Sequence, residues 1–388
     1  MSRLDELIQE YCPNGVNFKP IKEVYQRLKG TPITATKMKE IEKADGDVRI
    51  FAGGKTVINA YEKDIPNAKI TRVPAVLVQS RGVIDAVYYE KPFTFKNEMW
   101  AYTHDNKVTV KFLYYVLKNN MEKFREAASG MGALPQISLK VTEDFEIPMP
   151  PLEVQCEIVR ILDNFTELTA ELTAELTAEL TARKKQYEYY RDELIENPHG
   201  EVIECKMGDM LTFLNGRAYK QEELLSEGKY PVLRVGNFYT NDSWYYSDLE
   251  LDESKYCDNG DLLYSWAATL GPQIWNGEKC IFHYHIWKIL FEEKEVDKEY
   301  LYYFLQYDLA KIAKSTTKST MIHVSMGSMK ERQLILPSLE EQKRIASLIS
   351  KFDTLCCDIK NGLPAEITAR QNQYEYYRDK LLTFKEAQ

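Results

Sequence analysis

Hydrophobic and polar positions along the chain alternate between short β-type runs and long helical stretches. The clearest helical spacing begins at the proline pair 150–151, since proline is tolerated at the first positions of a helix. It continues through "LTAELTAELTAEL" at 168–180, where leucine, alanine and glutamate are strong helix formers. The pattern predicts a helix over residues 152–195, about 66 Å long at about 1.5 Å per residue. The apolar residues that share one stripe at its start are Leu152, Ile158, Ile161, Leu162 and Phe165.

The four-residue period of TAEL differs from the 3.6 residues of a helical turn. Each repeat lengthens a helix by about 6 Å and turns it by about 40° beyond a full turn, so a leucine seam meets a partner helix over roughly three or four turns. One base pair of B-DNA adds about 3.4 Å and roughly 34–36°, so an inserted copy resembles one or two base-pair steps. A slippage repeat tolerated on a solvated helix is the alternative. The seam consists of Leu168, Leu172, Leu176 and Leu180.

The chain is a tandem repeat of itself with an offset of 187 residues. "PPLEVQCEIVRILDNF" at 150–165 matches "PSLEEQKRIASLISKF" at 337–352. "TARKKQYEYYRDELI" at 181–195 matches "TARQNQYEYYRDKLL" at 368–382, and YEYYRD is identical in both copies. The repeat therefore predicts a second long helix at the C-terminus.

The repeat also predicts how the segments connect. We expect the two long helices to pair antiparallel, since the second must return along the first. The N-terminal "DELI" at 5–8 repeats at 192–195 and then docks at the end of the second helix, in a circular arrangement with a pseudo-twofold axis. Gly362 and Pro364 should kink or break the second helix. The expected segments are an N-terminal helix (1–15), a first lobe (16–147), the central long helix (148–197), a second lobe (198–336) and the C-terminal long helix (337–388).

Both lobes alternate short β-rich runs with turns before one longer helical run. The first contains "VRIFAGGKTVINAY" and "PAVLVQS", and the second contains "YPVLRVGNFYT" and "GDLLYSW". The helical runs begin near Val110 and Lys298. This order predicts an α/β (α+β) fold class, with twisted mixed sheets in both lobes.

The net charge of −9 is distributed unevenly along the 388 residues. Residues 18–147 hold 21 Lys/Arg and 16 Asp/Glu, a net charge of +5. Residues 198–336 hold 15 and 21, and residues 148–197 hold 5 and 11, so each of these segments has a net charge of −6. The overall acidity therefore does not exclude a nucleic-acid partner for the first lobe.

Cysteine usage and hydropathy indicate a cytoplasmic protein. The seven cysteines are an odd number and include no CxxC, which is typical of reduced thiols. The N-terminus lacks the apolar core of a signal peptide, and no stretch reaches 18 apolar residues.

Catalytic and metal-binding motifs give no convincing match. "GGKT" at 53–56 resembles the end of a phosphate-binding loop, but Arg49 stands where that loop needs glycine. "HYH" at 283–285 would place His283 and His285 on one face of a strand, without further ligands at metal-site spacing; a role on the sheet surface is favoured. The Asn/Asp-Pro-Pro-aromatic motif of adenine methyltransferases is missing, so we expect no catalytic residue and no metal site.

Residues suited to reading DNA recur at equivalent places in both lobes. Base edges and phosphates are bound by Arg, Lys, Asn and Gln, with Ser and Thr in support. For any single one of these, a solvated loop residue is the simpler interpretation. The candidates are Lys55, Thr56, Asn59, Gln79, Ser80, Arg81, Lys96 and Asn97 in the first lobe, and Asn215, Arg217, Lys220, Arg234, Asn237, Asn241, Thr269, Gln273, Lys314, Thr317, Lys318 and His323 in the second.

With its TAEL repeats, duplicated "QYEYYRD" and paired proline-led helix starts, the chain resembles specificity subunits of type I restriction-modification systems over essentially its full length. The resemblance implies a non-catalytic subunit in which two target-recognition domains each read half of a bipartite DNA site and the helices set the spacer. It also implies binding to two methyltransferase subunits, with two restriction (translocase and nuclease) subunits completing the complex. S-adenosylmethionine, ATP and Mg are then expected on the partners and no cofactor on this chain.

The duplicated YEYYRD segments are the expected subunit interface. Packing within the helix pair is the alternative for the tyrosines on one helix face, namely Tyr187 and Tyr190 and their repeats. The others, with the arginines, suit a partner surface because Tyr and Arg are enriched in interfaces. The candidate interface residues are Tyr187, Tyr189, Tyr190, Arg191, Tyr374, Tyr376, Tyr377 and Arg378.

Two other classes of function compete with the DNA-specificity hypothesis. One is a non-catalytic scaffold, in which two peptide-binding lobes sit on a helical strut without any role in DNA binding. The other is an enzyme acting on a small molecule, which would need a pocket with convergent titratable groups.

Overall fold

Two units of mixed helix and sheet make up the chain. A computed structural model describes residues 2–128, 135–239, 241–315, 324–357 and 362–387. Unit 1 comprises Met1–Glu175 and Ile367–Gln388, and unit 2 comprises Leu176–Glu366. The predicted mixed α/β class with two sheet-rich lobes is confirmed.

The described residues of the first part of the chain form nine strands and seven α-helices. The strands are β1 (Phe18–Pro20), β2 (Gln26–Leu28), β3 (Val48–Phe51), β4 (Val57–Ala60), β5 (Ala75–Gln79), β6 (Asp85–Tyr89), β7 (Phe93–Phe95), β8 (Trp100–Thr103) and β9 (Glu146–Pro148). The helices are α1 (Arg3–Tyr11), α2 (Ile21–Val24), α3 (Ala35–Ile41), α4 (Lys107–Asn119), α5 (Met121–Glu126), α6 (Leu139–Glu143) and α7 (Leu152–Glu196), which continues into unit 2.

The rest of the chain repeats this order. The strands are β10 (Val202–Lys206), β11 (Thr212–Asn215), β12 (Tyr230–Leu233), β13 (Tyr245–Ser247), β14 (Tyr256–Cys257), β15 (Leu262–Ser265), β16 (Gly271–Ile274), β17 (Cys280–Phe282), β18 (Ile286–Leu290) and β19 (Gln333–Pro337). The helices are α8 (Met207–Met210), α9 (Lys298–Ser315), α10 (Met326–Lys330), α11 (Leu339–Cys357) and α12 (Leu363–Leu382), most of which belongs to unit 1.

The two lobes share one sheet topology. An antiparallel sheet has the order β2-β8-β5-β6 in unit 1 and β11-β18-β15-β16 in unit 2. A second sheet runs β4-β3-β7 in unit 1 and β13-β12-β17-β14 in unit 2, with β3–β7 and β12–β17 parallel. In each lobe a short antiparallel pair, β1–β9 or β10–β19, joins its two ends. The sequence repeat thus extends to the order and direction of the strands.

One helix packs on the antiparallel sheet in each lobe and contributes to its core. Helix α4 lies on β5 and β6 and buries Phe112, Leu113 and Val116. Its first turn is capped by Asn106, whose Oδ1 accepts a hydrogen bond from the N–H of Val108 at 2.8 Å. In unit 2, α9 lies on β16 and buries Tyr300 and other apolar side chains.

Helix α7 spans 45 residues without interruption, close to the predicted 152–195. In unit 1, Phe165 contacts Tyr377 at 5.9 Å between ring centroids, and the hydroxyls of Thr166 and Tyr374 lie 3.0 Å apart. In unit 2, Tyr190 stacks on Phe352 at 5.7 Å. Within unit 1 the partner numbers fall as the α7 numbers rise, so α7 and α12 run antiparallel there.

The second long helix is divided into α11 and α12. Pro364 lies in the first turn of α12, where its missing N–H needs no partner. The carbonyl of Gly362 accepts a hydrogen bond from the N–H of Ala365 at 3.0 Å and begins this turn. Proline is tolerated in the first turn of a helix but disrupts a helix that continues through it. Helix α12 therefore begins here, as the sequence predicts.

The N-terminal segment lies against the C-terminal end of α12 within unit 1. Leu4 of α1 is buried in the same core as Leu382. The N–H of Val16 donates to the carbonyl of Lys385, and its own carbonyl accepts from the N–H of Ala387, each at 2.9 Å.

In the described ranges no helix is long and apolar enough to cross a bilayer.

Candidate nucleic-acid interface

Three turns meet at one edge of the first lobe, each directly after a strand. The N–H of Gly54 donates to the carbonyl of Arg81 at 3.3 Å, and the N–H of Lys96 donates to the carbonyl of Phe51 at 2.9 Å. Ser80 Oγ donates to the carbonyl of Glu98 at 2.5 Å. These bonds join residues 52–56, 80–82 and 96–98 into one surface, which we call rim 1.

Rim 1 collects most of the predicted DNA-contacting residues of the first lobe. Lys55, Thr56, Arg81 and Asn97 are exposed on it. Lys96 is half-buried and forms an ion pair with Glu98 at 2.9 Å. Lys55 and Arg81 form no ion pair with any described residue, so the rim presents two cationic side chains to solvent.

Three other residues of this lobe that were predicted to contact DNA are buried or hydrogen-bonded within the fold. Gln79 and Ser80 are buried at the end of β5, and Ser80 braces the rim through its hydrogen bond to Glu98. Asn59 lies within β4, where its Oδ1 accepts a hydrogen bond from Arg49 Nε at 3.1 Å. Their polar side chains serve the fold of the lobe.

Unit 2 has an equivalent surface, rim 2, formed by residues 234–239, 266–270 and 283–285. The N–H of His283 donates to the carbonyl of Leu233 at 2.9 Å, as Lys96 does to Phe51. The N–H of Ile286 donates to the carbonyl of His283 at 2.9 Å, as Met99 does to Lys96. Two backbone hydrogen bonds thus recur at equivalent places in the two rims.

The prediction that His283 and His285 lie on a strand is wrong. Residues 284–285 form a turn between β17 and β18, because the chain passes there from one sheet to the other. Burial, and after it His285 and Arg234, lower the pKa of His283 to about 4, so its imidazole is neutral at pH 7. Among the described residues no three His, Cys, Asp or Glu side chains are grouped as a metal would require.

The predicted cations of rim 2 are held by other groups. Arg217 adjoins the rim through its N–H bond to the carbonyl of Phe282 at 3.0 Å. Its guanidinium binds Glu223 at 2.7 and 3.2 Å, and this bond lowers the pKa of the Glu223 carboxyl. Arg234 lies over the ring of Tyr245 at 4.3 Å and donates to the carbonyl of Ser243 at 3.3 Å. Rim 2 is therefore less cationic than rim 1.

Amide side chains in rim 2 and beside it form hydrogen bonds with its loops. Asn237 Nδ2 donates to the carbonyls of Asn241 and Ser243, each at 3.0 Å. Gln273 Nε2 lies 3.4 Å from the hydroxyl of Tyr239. Thr269 is exposed in the β15–β16 turn, and its carbonyl accepts from Ser265 Oγ at 2.5 Å.

The remaining predicted residues of the second lobe lie outside rim 2. Asn215 ends β11, and its carbonyl accepts from Lys255 Nζ at 2.8 Å. Lys220 is exposed, 3.7 Å from Glu222. Lys314 belongs to the last turn of α9. Thr317, Lys318 and His323 lie outside the described residues.

Rim 2 also contains aromatic residues that the sequence prediction missed. Tyr284 is exposed in the turn 283–285, Tyr239 is exposed beside Gln273, and Trp266 packs on His285. The prediction considered polar side chains only. The 187-residue offset, which maps Lys96, Asn97 and Glu98 onto the "HYH" turn, was the signal that could have found them.

The duplicated YEYYRD segments place two tyrosines of each copy on the surface. Tyr189 and Tyr376 are 62% and 63% exposed. Each forms an edge-to-face pair with the following tyrosine, Tyr190 or Tyr377, at 5.3 and 5.4 Å. The two copies thus present the same aromatic pair.

The other interface candidates contact their own unit. Tyr187 is buried and donates to Gln306 Oε1 at 2.9 Å. Arg191 is also buried, and its guanidinium binds Asp192 at 2.6 Å. Arg378 donates to Asn119 Oδ1 at 3.0 Å and lies 5.5 Å from the centre of the Tyr374 ring.

The leucine seam of α7 is only partly covered. Leu168 is 60% exposed, whereas Leu172, Leu176 and Leu180 are half-buried. Leu168 and Leu172 line a cavity of about 190 Å³ with Tyr374 and Tyr377. The seam is therefore exposed at Leu168 and only partly covered at the three leucines that follow.

Comparison with known families identifies the chain. The model of the type I restriction modification DNA specificity domain matches residues 13–182 and again 200–369. The chain belongs to this family. The second matched range is shifted from the first by 187 residues, which is the offset of the internal repeat. Each copy of the repeat therefore corresponds to one specificity domain. The predicted family and its DNA-specificity role are confirmed, and the scaffold hypothesis is not favoured.

Relatives and solved structures agree with this assignment. A putative type I restriction enzyme specificity subunit of Haemophilus influenzae is 37% identical over 307 residues, covering 74% of this chain and 77% of the relative. The EcoR124I/EcoR124II specificity subunit of Escherichia coli is 28% identical over 375 residues, covering 87% of each. A chain from a structure of the type I R-M system, described in terms of complex assembly and conformational transition, has a TM-score of 0.66 at 16% identity, covering 95% of this chain and 98% of that one. This last likeness supports the fold.

Proposed function

We propose that rim 1 and rim 2 each read one half of an asymmetric, bipartite DNA site. The observation that carries this proposal is that one backbone frame, held by the same hydrogen bonds, recurs in both units with different side chains. Base edges are distinguished by side-chain donors, acceptors and apolar groups. Two readers with the same frame and different side chains fit a site whose halves differ in sequence.

We further propose that α7 and its partner helices set the length of the unread spacer. Helix α7 is continuous over 45 residues, and its TAEL segment contains neither proline nor glycine. A length change in this segment would therefore be transmitted along the helix in steps of about 6 Å per repeat.

The surfaces around Tyr189 and Tyr376 are proposed to bind two copies of one methyltransferase subunit. Identical hexapeptides with the same exposed tyrosine pair fit the same partner twice. Two restriction subunits complete the proposed complex. S-adenosylmethionine, ATP and Mg are assigned to these partners and no cofactor to this chain.

An exchange of one lobe tests whether the two rims read separately. Residues 198–336 are replaced by the corresponding lobe of a relative, and methylated adenines are mapped across a genome carrying the complete system. One half-site should change while the other half-site and the spacer stay the same. The matched control replaces residues 16–147 and should change the opposite half-site. A change of both half-sites after one exchange would contradict separate reading.

A further inference from the structure

The turn 283–285 of rim 2 occupies the place of the turn 96–98 of rim 1 but has a different chemistry. In rim 1 the turn is Lys-Asn-Glu and contains the Lys96–Glu98 ion pair. In rim 2 it is His-Tyr-His. The charged side chains of this turn in rim 1 are therefore replaced by three aromatic rings in rim 2.

The rings of this turn form a packed cluster. Tyr284 lies 4.4 Å from His283 and 4.0 Å from His285, measured between ring centroids, and the two histidines are 4.8 Å apart. Trp266 packs edge-to-face on His285 at 5.1 Å, and its Nε1 donates to the carbonyl of Tyr284 at 2.8 Å. These contacts hold the Tyr284 ring in one orientation.

Charge and exposure limit what this cluster can contact. The imidazole of His283 is neutral at pH 7, and the nearest arginines of the rim are held by Glu223 and the carbonyl of Ser243. The turn therefore offers aromatic ring surface where rim 1 has the Lys96–Glu98 ion pair. Tyr284 is 38% exposed, so part of its ring is available at the surface.

We propose that Tyr284 makes an apolar contact with the 5-methyl group of a thymine in the half-site read by rim 2. The thymine methyl is the apolar group that base edges present in the major groove, and apolar side chains recognise it there. The proposal rests on the proposed reading of DNA by this rim and adds a specificity-determining residue to it.

Deoxyuridine tests this contact because it differs from thymidine only by the missing methyl group. The subunit in complex with its methyltransferase partners is titrated with duplexes of the mapped site, in which each thymine in turn is replaced by deoxyuridine. One replacement in the rim 2 half-site should weaken binding about fourfold, as expected for about 0.8 kcal/mol per buried methyl-sized group. This scan uses the unaltered protein, so it does not depend on a variant that folds.

Two variants assign the effect to the residue. Tyr284→Phe keeps the ring and should keep the deoxyuridine effect, whereas Tyr284→Ala should bind both duplexes equally. Tyr239→Ala, at the neighbouring exposed tyrosine, is the matched control and should retain the effect. A deoxyuridine effect that persists in Tyr284→Ala would overturn the assignment.

The outcomes separate this inference from the proposed function. If no thymine of the half-site responds while the complex still prefers its site over random duplex, the methyl contact is refuted and the reading of DNA by rim 2 stands. If the complex does not prefer any site, both are refuted.

Discussion

At the scale of single residues, carboxylates and carbonyls decide which side chains remain available for a ligand. Arg217 and Lys96, both predicted to contact DNA, are engaged with Glu223 and Glu98. Lys55 and Arg81 of rim 1 are exposed. The residue type therefore predicts which groups a side chain can bind. Its neighbours in the fold decide whether the side chain is available to a ligand.

One buried carboxylate couples stability to pH. Glu341, at the start of α11, accepts hydrogen bonds from Arg344 at 2.6 and 2.7 Å and from the N–H of His199 at 2.9 Å. The bond from Arg344 is the main cause that lowers the pKa of Glu341 to about 2. Because the pKa of Glu341 is lower in the folded state than its ordinary value of 4.5, the charged carboxylate stabilises the fold at pH values above 4.5. This contribution is lost as the pH falls toward 2.

Glu341→Gln should lower the free energy of unfolding by about 2 kcal/mol at pH 7, since hydrogen bonds to a charged acceptor are lost. Urea unfolding of variant and parent at pH 7, 5 and 3.5 measures the difference, which should narrow below about pH 4.5. Glu340→Gln, on the exposed neighbouring position, is the control and should have little effect. A difference that does not vary with pH would contradict the assigned role of the carboxylate.

At the scale of elements, the long helices show how local sequence sets continuity. Helix α7 runs through three TAEL copies because none of their residues breaks a helix. Its repeat partner ends at Cys357 and restarts at Leu363, next to Gly362 and Pro364. Helix α7 is therefore continuous at the positions equivalent to Gly362 and Pro364.

Deletion of one TAEL copy from α7 should shorten the preferred spacer by one or two base pairs and leave both half-sites unchanged, since about 6 Å of helix compares with about 3.4 Å per base pair. Mapping of methylated adenines measures spacer and half-sites together. Leu168→Ala keeps the helix length at an exposed position and should keep the spacer. An unchanged spacer after the deletion would refute the proposed ruler.

At the scale of the whole molecule, charge is divided between the parts of the chain. The first lobe is basic, whereas the second lobe and the central helix are acidic. Phosphate contacts make DNA affinity depend on salt. We therefore expect rim 1 to contribute more of the ionic attraction than rim 2, with the methyltransferase subunits supplying the remainder.

The affinity of the complex for random duplex should fall steeply as salt rises. The double variant Lys55→Gln, Arg81→Gln should reduce the slope of log affinity against log salt by up to about 1.8, which is about 0.9 for each lost phosphate contact. Lys39→Gln, an exposed lysine of α3, is the control and should leave the slope unchanged. A parent complex whose affinity does not change with salt would instead favour the scaffold hypothesis.

The repeat, the long helix and the mixed class of the lobes can be predicted from the sequence alone. These features depend on periodic patterns within short windows, such as the apolar stripe after Pro151 and the TAEL copies, and on helix breakers such as Pro364. Each can be read without knowing which distant residues meet. The 187-residue offset then carried the organisation of one half of the chain over to the other.

Only the tertiary structure decided which candidates share a surface. It joined residues 52–56, 80–82 and 96–98 through hydrogen bonds between turns that are far apart in the chain. It also buried Gln79 and Arg191, and it made the "HYH" segment a turn where the chain passes between sheets. Burial and long-range hydrogen bonds depend on the packing of several elements at once, and no local pattern of residues contains that information.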